Sequence, residues 1–202
     1  MLDPHLRTLI DPPLNRLGAV LARAGATADG LTLTGFALGL TAAGAIVVQA
    51  MWLALVLFLA GRLIDGLDGA VARATAKTDR GGYLDIVLDF AVYAAIPLAF
   101  ACADPAANAL AAAALLAAIV VNGSAFLAYA IMAERRGVTT AAQGEKSLYY
   151  LAGLAEGTET IIAYVACLIW PSAFPHIAAL FALLCLVSGM ARVAMAWRTL
   201  SR

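Results

Sequence analysis

The sequence predicts an all-α integral membrane protein: a bundle of six transmembrane helices preceded by an amphipathic helix on the cytoplasmic face. Three observations lead there. The chain of 202 residues is 63% hydrophobic and only 13% charged, a balance that excludes an ordinary water-soluble domain. Its apolar runs, at roughly 20 residues each, match the thickness of a bilayer. They lie near 31–50, 52–72, 82–103, 107–133, 147–170 and 175–197. Third, a net charge of zero hides an asymmetry: the connections around 49–52, 102–108 and 170–175 carry no Lys or Arg. Arg7, Arg16, Arg23, Arg73, Lys77, Arg80, Arg135, Arg136, Lys146, Arg198 and Arg202 all fall to the other side. By the positive-inside rule, both termini and the loops 73–81 and 134–146 are expected in the cytoplasm.

Two regions follow, an interfacial segment 1–26 and a transmembrane domain 27–202, with no length left for a second domain. In the first, Asp3-Pro4 and Asp11-Pro12 each read as an N-cap followed by proline at the first helical position. Leu14, Leu17, Val20 and Leu21 form an apolar stripe opposite Asn15, Arg16 and Arg23, and Gly25 stops the helix. Such a helix lies on the membrane surface, either packing on the bundle or serving lipid entry. Charged and proline-rich sequence ahead of the first long apolar run does not read as a cleavable signal peptide.

The first span opens with Thr27-Ala-Asp29-Gly-Leu-Thr32-Leu-Thr34. Thr27 or Asp29 is expected to cap it, with Thr32 and Thr34 bonding to backbone inside it.

The second and third spans carry four aspartates at helical spacing. Asp65 and Asp68 are three apart and Asp85 and Asp89 four apart, so each pair shares a helix face. Four carboxylates facing one another in an apolar bundle repel, and each is costly to desolvate. One or two bound divalent cations remove both problems, and ligands that are all oxygen favour a hard ion such as Mg²⁺ or Mn²⁺.

The whole pattern, Asp65-x2-Asp68-Gly69-x2-Ala72-Arg73-x7-Gly81-x3-Asp85-x3-Asp89, resembles the signature of the CDP-alcohol phosphotransferases. Its one departure is a gap of seven residues after Arg73 where eight is common, and that gap lies in a loop. The resemblance implies a membrane enzyme that moves a phospho-alcohol from a CDP-linked donor, such as CDP-diacylglycerol, to a second alcohol and releases CMP. It implies Asp65, Asp68, Asp85 and Asp89 as ligands of a pair of Mg²⁺ or Mn²⁺ ions, with Asp89 also the general base. Asp29, Thr32, Gly69, Ala72, Arg73 and Gly81 would border the nucleotide. Asp29-x-x-Thr32 is also explained by helix capping, and Arg73 by anchoring at the membrane interface. The resemblance also implies a homodimer in a bacterial inner membrane, the positive-inside orientation turns the aspartates towards the cytoplasm, and no nucleic acid partner is expected.

Beyond the signature, Asn122 and Ser124 in the fourth span suit interhelical hydrogen bonds. The loop 134–146 is polar and partly basic. Arg135 and Arg136 read as positive-inside anchors, while Lys146, at the start of the fifth span, could attract an anionic acceptor or a lipid phosphate. That tilts the acceptor slightly towards a phosphorylated one; glycerol 3-phosphate, an inositol phosphate, a phosphatidylglycerol headgroup, serine and choline all suit the signature. Glu156 and Glu159 interrupt the apolar fifth span, and a count from Lys146 at ~1.5 Å per residue puts Glu156 roughly 15 Å into the bundle. Either they face a substrate cavity or Glu156 caps a helix or pairs with Arg192 on the sixth span. Cys102, Cys167 and Cys185 show no metal spacing, and His5 and His176 have no partner at ligand spacing.

Two other classes compete. A transporter or proton relay would use intramembrane carboxylates, yet it gives no reason for Gly69, Ala72, Arg73 and Gly81 at fixed offsets, and no inverted repeat is visible. A non-catalytic subunit would tolerate loss of an aspartate, and here the set is complete.

Overall fold

The structure is a computed structural model that describes residues 3–136 and 155–200. Among these it contains seven α-helices: α1 (Asp3–Arg23), α2 (Ala28–Val47), α3 (Met51–Ala74), α4 (Asp79–Ala103), α5 (Pro105–Arg135), α6 (Gly157–Ile169) and α7 (Phe174–Leu200). A 3-10 turn at Pro171–Ala173 leads into α7.

Local chemistry sets the starts of these helices. Thr27 Oγ1 accepts from the Gly30 N–H at 3.2 Å, Thr78 Oγ1 from Gly81 at 3.0 Å, and Asp104 Oδ1 from Ala107 at 3.1 Å. Thr27, rather than Asp29, is therefore the cap of α2. Thr32 and Thr34 hydroxyls reach the carbonyls of Ala28 and Gly30 one turn back, as expected. After α1, Gly25 takes φ +90°, the left-handed turn that releases the chain towards α2.

Two expectations are corrected. Asp11-Pro12 does not begin a new helix, because α1 runs unbroken through Pro12 and Pro13. The missing amides lose two i→i−4 bonds, but the following turns are held by packing on α3. A Cβ at Gly18 would stand 2.6 Å from Ala70 Cβ, so α1 lies almost backbone to backbone against the signature helix. Nor does the fifth span continue as helix through Glu156. Ala155 and Glu156 are non-helical, and Glu156 is the N-cap of α6, so the helical count of its depth does not apply.

Among the described residues, four helical stretches are long and apolar enough to cross a bilayer: Ala28–Val47, Asp79–Ala103, Pro105–Arg135 and Pro171–Leu200. Large apolar side chains such as Leu110 and Leu180 lie on the outside, 85% and 71% exposed, as a lipid-facing surface requires. The interior is filled by Phe58, Ile96, Phe100, Leu115, Tyr164 and Phe174. Phe100 and Phe174 stack with centroids 4.3 Å apart, and the buried Tyr164 hydroxyl donates to the Tyr93 carbonyl at 2.6 Å. Cys167 and Cys185 are buried free thiols within this packing, whereas Cys102 is exposed.

Arg62, Asp65 and Asp68 are turned inward on α3, which packs against α1 and α2, while Arg73 at its end stays exposed. Glycine makes the α2–α3 approach possible. A Cβ at Gly35 would lie 3.0 Å from the Gly61 carbonyl oxygen, and a Cβ at Gly61 the same distance from that of Gly35. That close crossing places the start of α2 beside the end of α3, and α4 packs on α2 with its start facing the end of α3 across a cavity.

Candidate active site

Three helices meet around the aspartates. Arg62, Asp65 and Asp68 recur at three-residue intervals along α3, and Asp85, Asp89 and Tyr93 at four-residue intervals along α4. One carboxylate oxygen each from Asp65, Asp68 and Asp85 lies within 4.8 Å of the other two. Thr32, from α2, places its hydroxyl on Asp68 Oδ2 in a buried hydrogen bond.

The fourth carboxylate behaves differently. Asp89 Oδ1 is paired with Arg62, and Asp89 Oδ2 accepts from the Tyr93 hydroxyl at 3.4 Å. Arg62 Nη1 also stands 3.5 Å from Asp65 Oδ2, so this guanidinium bridges α3 and α4. Only 6% of its side chain is exposed. Neither Arg62 nor Tyr93 was singled out from the sequence. The signal was present: an arginine inside an apolar span, one turn before an aspartate, and a tyrosine one turn after another.

Beside the three convergent aspartates opens a cavity of about 480 Å³. Asp29, Thr32, Gly69, Ala72, Arg73 and Gly81 all line it, together with Asp68, Asp85, Lys77 and Arg80. Its volume is that of a small-molecule site. Gly69 has Arg73 close by, with Nη1 3.3 Å from where a Cβ would stand. Arg73 itself is steadied by α1, its Nε donating to Asn15 Oδ1 at 2.9 Å. Asp29 and Arg80 form an ion pair across the mouth between α2 and α4.

Glu156 and Glu159 stand at the start of α6. The Glu159 carboxylate accepts from the Glu156 N–H at 3.3 Å, and Glu156 Oε1 lies 3.8 Å from Arg192 Nη2 on α7. Both alternatives raised for Glu156, cap and Arg192 partner, are therefore present together. Arg192 also donates to Asn122 Oδ1 at 3.2 Å, and Asn122 Nδ2 donates to the Ala155 carbonyl at 3.1 Å. This polar knot adjoins the aspartates: a Cβ on Gly157 would lie 3.8 Å from the Tyr93 hydroxyl that meets Asp89. Lys146 lies outside the described residues.

Residues 26–200 match the CDP-alcohol phosphatidyltransferase family. The chain belongs to that family. Its members are enzymes, which removes the transporter and the structural-subunit readings and gives the fixed glycines, alanine and arginine a common reason. The inner membrane protein YnjF of Escherichia coli is 45% identical over 200 residues, covering 99% of this chain and 97% of that protein. The archaetidylinositol phosphate synthase of Pyrococcus horikoshii is 40% identical over 85 residues, 42% of this chain and 45% of its own. The fold is that of the phosphatidylinositol phosphate synthase PgsA1 of Mycobacterium tuberculosis, solved with CDP-DAG bound. The TM-score is 0.71 at 19% identity, covering 91% of this chain and 93% of that one. This phosphatidyltransferase-family chain is thus an all-helical, multi-pass membrane enzyme with an acidic cluster at its centre.

Proposed function

We propose that the protein transfers a phosphatidyl group from CDP-diacylglycerol to an alcohol acceptor and releases CMP, in phospholipid synthesis at a bacterial inner membrane. The observation that carries this reading is the junction of the Asp65, Asp68 and Asp85 cluster with a cavity lined by the motif residues Gly69, Ala72, Arg73 and Gly81. A membrane-embedded catalyst suits a donor with acyl chains, and the relative PgsA1 was solved with CDP-DAG bound.

The donor set fits a divalent cation. Three carboxylates offer only oxygen, and their atoms within 4.8 Å are near the spacing around one hard ion. Mg²⁺ or Mn²⁺ held by Asp65, Asp68 and Asp85 would supply charge neutralisation for the pyrophosphate as CMP leaves. The family signature implies a second ion and includes Asp89 among the ligands.

The chain's own residues divide the remaining work. Gly69 and Ala72 keep the α3 wall low for the cytidine nucleotide, with Asp29, Thr32 and Gly81 on the facing walls. Arg73 presents a cation to phosphate from a position fixed by Asn15. Asp89 accepts the proton of the acceptor hydroxyl. The hydroxyl oxygen then bonds to the phosphorus on the lipid side of the pyrophosphate, and the bond to the CMP oxygen breaks with its electron pair. The acceptor would approach from the start of α6, where Glu156, Glu159 and Lys146 are the candidate contacts. The archaetidylinositol phosphate synthase relative favours a phosphorylated polyol among the acceptors.

In this reading α3 and α6 complete the six spans, α1 lies on the cytoplasmic face, and both termini and the cavity face the cytoplasm. Arg136 bonding the carbonyls of Thr199 and Leu200 supports the gathering of basic residues at one end. The enzyme is proposed to work as a homodimer. CMP release by the purified protein, with CDP-diacylglycerol, Mn²⁺ and a panel of acceptor alcohols, tests the proposal. Release with one acceptor, lost in Asp89→Asn, is the expected result; no release and no metal-dependent binding of CDP would overturn it.

A further inference from the structure

Tyr93 belongs neither to the family signature nor to the mechanism above, yet its hydroxyl meets the carboxylate assigned as the base. It stands one turn after Asp89 on α4 and donates to Asp89 Oδ2 at 3.4 Å. Its ring lies edge-on to Phe90 and Tyr164, with centroids 6.3 and 6.5 Å away, and the Arg62 guanidinium sits 5.8 Å from its centre. Beyond the hydroxyl lies the start of α6, where a Cβ on Gly157 would come within 3.8 Å of it. Tyr93 therefore stands between the base and the side from which the acceptor is proposed to arrive.

The main chain at Tyr93 is held from outside its own helix. Pro97 lies inside α4, four residues on, and has no N–H to give back to the Tyr93 carbonyl. An open carbonyl is costly within a membrane span, and a neighbouring helix can supply the missing donor. Here the donor is the hydroxyl of Tyr164 on α6, which meets the Tyr93 carbonyl at 2.6 Å from a fully buried side chain. Pro97 opens a backbone acceptor and Tyr164 closes it. The result is that α6 grips α4 at the same residue that grips Asp89.

We infer that Tyr93 is a positioning residue for Asp89, and that Tyr164, through the carbonyl freed by Pro97, fixes the turn of α4 from which Tyr93 acts. The inference rests on the reading of Asp89 as ion ligand and base proposed above. A carboxylate with both tasks divides its two oxygens between them, and a hydrogen bond to one oxygen sets the rotation of both. The orientation of the base is thereby tied to α6, the helix whose start carries Glu156 and Glu159.

Two readings on the full chain in detergent test this: Mn²⁺ titration followed by electron paramagnetic resonance, and kcat for CMP release. The Mn²⁺ binding step that Asp89→Asn weakens marks the ion that Asp89 helps to hold. Tyr93→Phe keeps the ring and loses the hydroxyl. It is expected to weaken that step about tenfold and to lower kcat by roughly 10–100-fold. The KM for donor should change little, since Tyr93 lies outside the lining of the nucleotide cavity. Tyr164→Phe should lower both readings to a smaller degree. Pro97→Ala puts an amide back beneath the Tyr93 carbonyl, so Pro97→Ala/Tyr164→Phe should recover most of that loss.

A folded Tyr93→Phe protein with either reading unaltered overturns the inference, because an effect that bypasses Asp89 would spare its ion. A loss in Tyr164→Phe that Pro97→Ala does not recover overturns the part given to Tyr164, since a plain brace between helices would behave so. Should Tyr93→Phe fail to fold, the comparison of Tyr164→Phe with Pro97→Ala/Tyr164→Phe decides by the same two readings. Failure of the underlying reading looks different: the unaltered protein would show no Mn²⁺ step that Asp89→Asn weakens, and both proposals would then fall.

Discussion

Thr32 of α2 and Asp68 of α3 are joined by a buried hydrogen bond, with Asp68 7% and Thr32 3% exposed. The hydroxyl also lies 3.0 Å from the Ala28 carbonyl, one turn back on its own helix. One side of a candidate ion ligand is thus fixed by a residue on a different helix, whose own position is set by the Thr27 cap.

Removing that hydroxyl while keeping the shape gives the first prediction. Thr32→Val should lower Mn²⁺ affinity by about tenfold, the usual effect of losing a group that orients a metal ligand. Titration of Mn²⁺ into the purified variant reads this directly, and an unchanged affinity would separate Thr32 from metal binding.

The aspartates should divide into two classes. Asp68→Asn and Asp85→Asn are expected to lose most Mn²⁺ binding and CMP release together. Asp89→Asn should lose CMP release by roughly 100-fold or more while the cluster still binds Mn²⁺, though less tightly. If Asp89→Asn retained near-normal turnover, its assignment as the base would be wrong.

Glu156 and Arg192 offer a test of structure against substrate contact. Arg192→Met leaves the Glu156 carboxylate in a half-buried place without its partner guanidinium, and is expected to cost about 1–3 kcal/mol in stability. Arg192→Met/Glu156→Gln should recover part of that loss in thermal unfolding. A double variant no more stable than the single one, but with a raised KM for acceptor, would shift both residues from packing to acceptor binding.

Packing at the crossing of α2 and α3 gives a prediction independent of the chemistry. Gly35→Leu forces side-chain atoms onto the Gly61 carbonyl, since a Cβ alone would already lie at 3.0 Å. The expected loss is about 1–3 kcal/mol or more from overpacking, measured as a lower midpoint of thermal unfolding in detergent. Gly44→Ala, where an added Cβ meets nothing within 4 Å, is the matched control and should be close to neutral.

Much of this protein was legible in its sequence because its strongest constraints are local or periodic. Long apolar runs must be helices in lipid, where every backbone amide needs an internal partner. The cap at Thr27 acts within three residues, so the sequence offered it, with Asp29 as the alternative, while the caps at Thr78 and Asp104 came only with the structure. The aspartate spacing, with Gly69, Ala72, Arg73 and Gly81 at fixed offsets, was enough to indicate the family and a metal-centred chemistry. Only the tertiary structure decided the partners of those residues. Spacing placed Asp85 and Asp89 on one face equally, yet the rotation of α4 against α3 sends one to the cluster and the other to Arg62. Glu156 became a helix cap because the chain is non-helical at Ala155, and its pairing with Arg192 spans helices distant in sequence. A helix period fixes which residues share a face; what that face meets depends on how closely helices pack, and here glycine at Gly18, Gly35 and Gly61 set that distance.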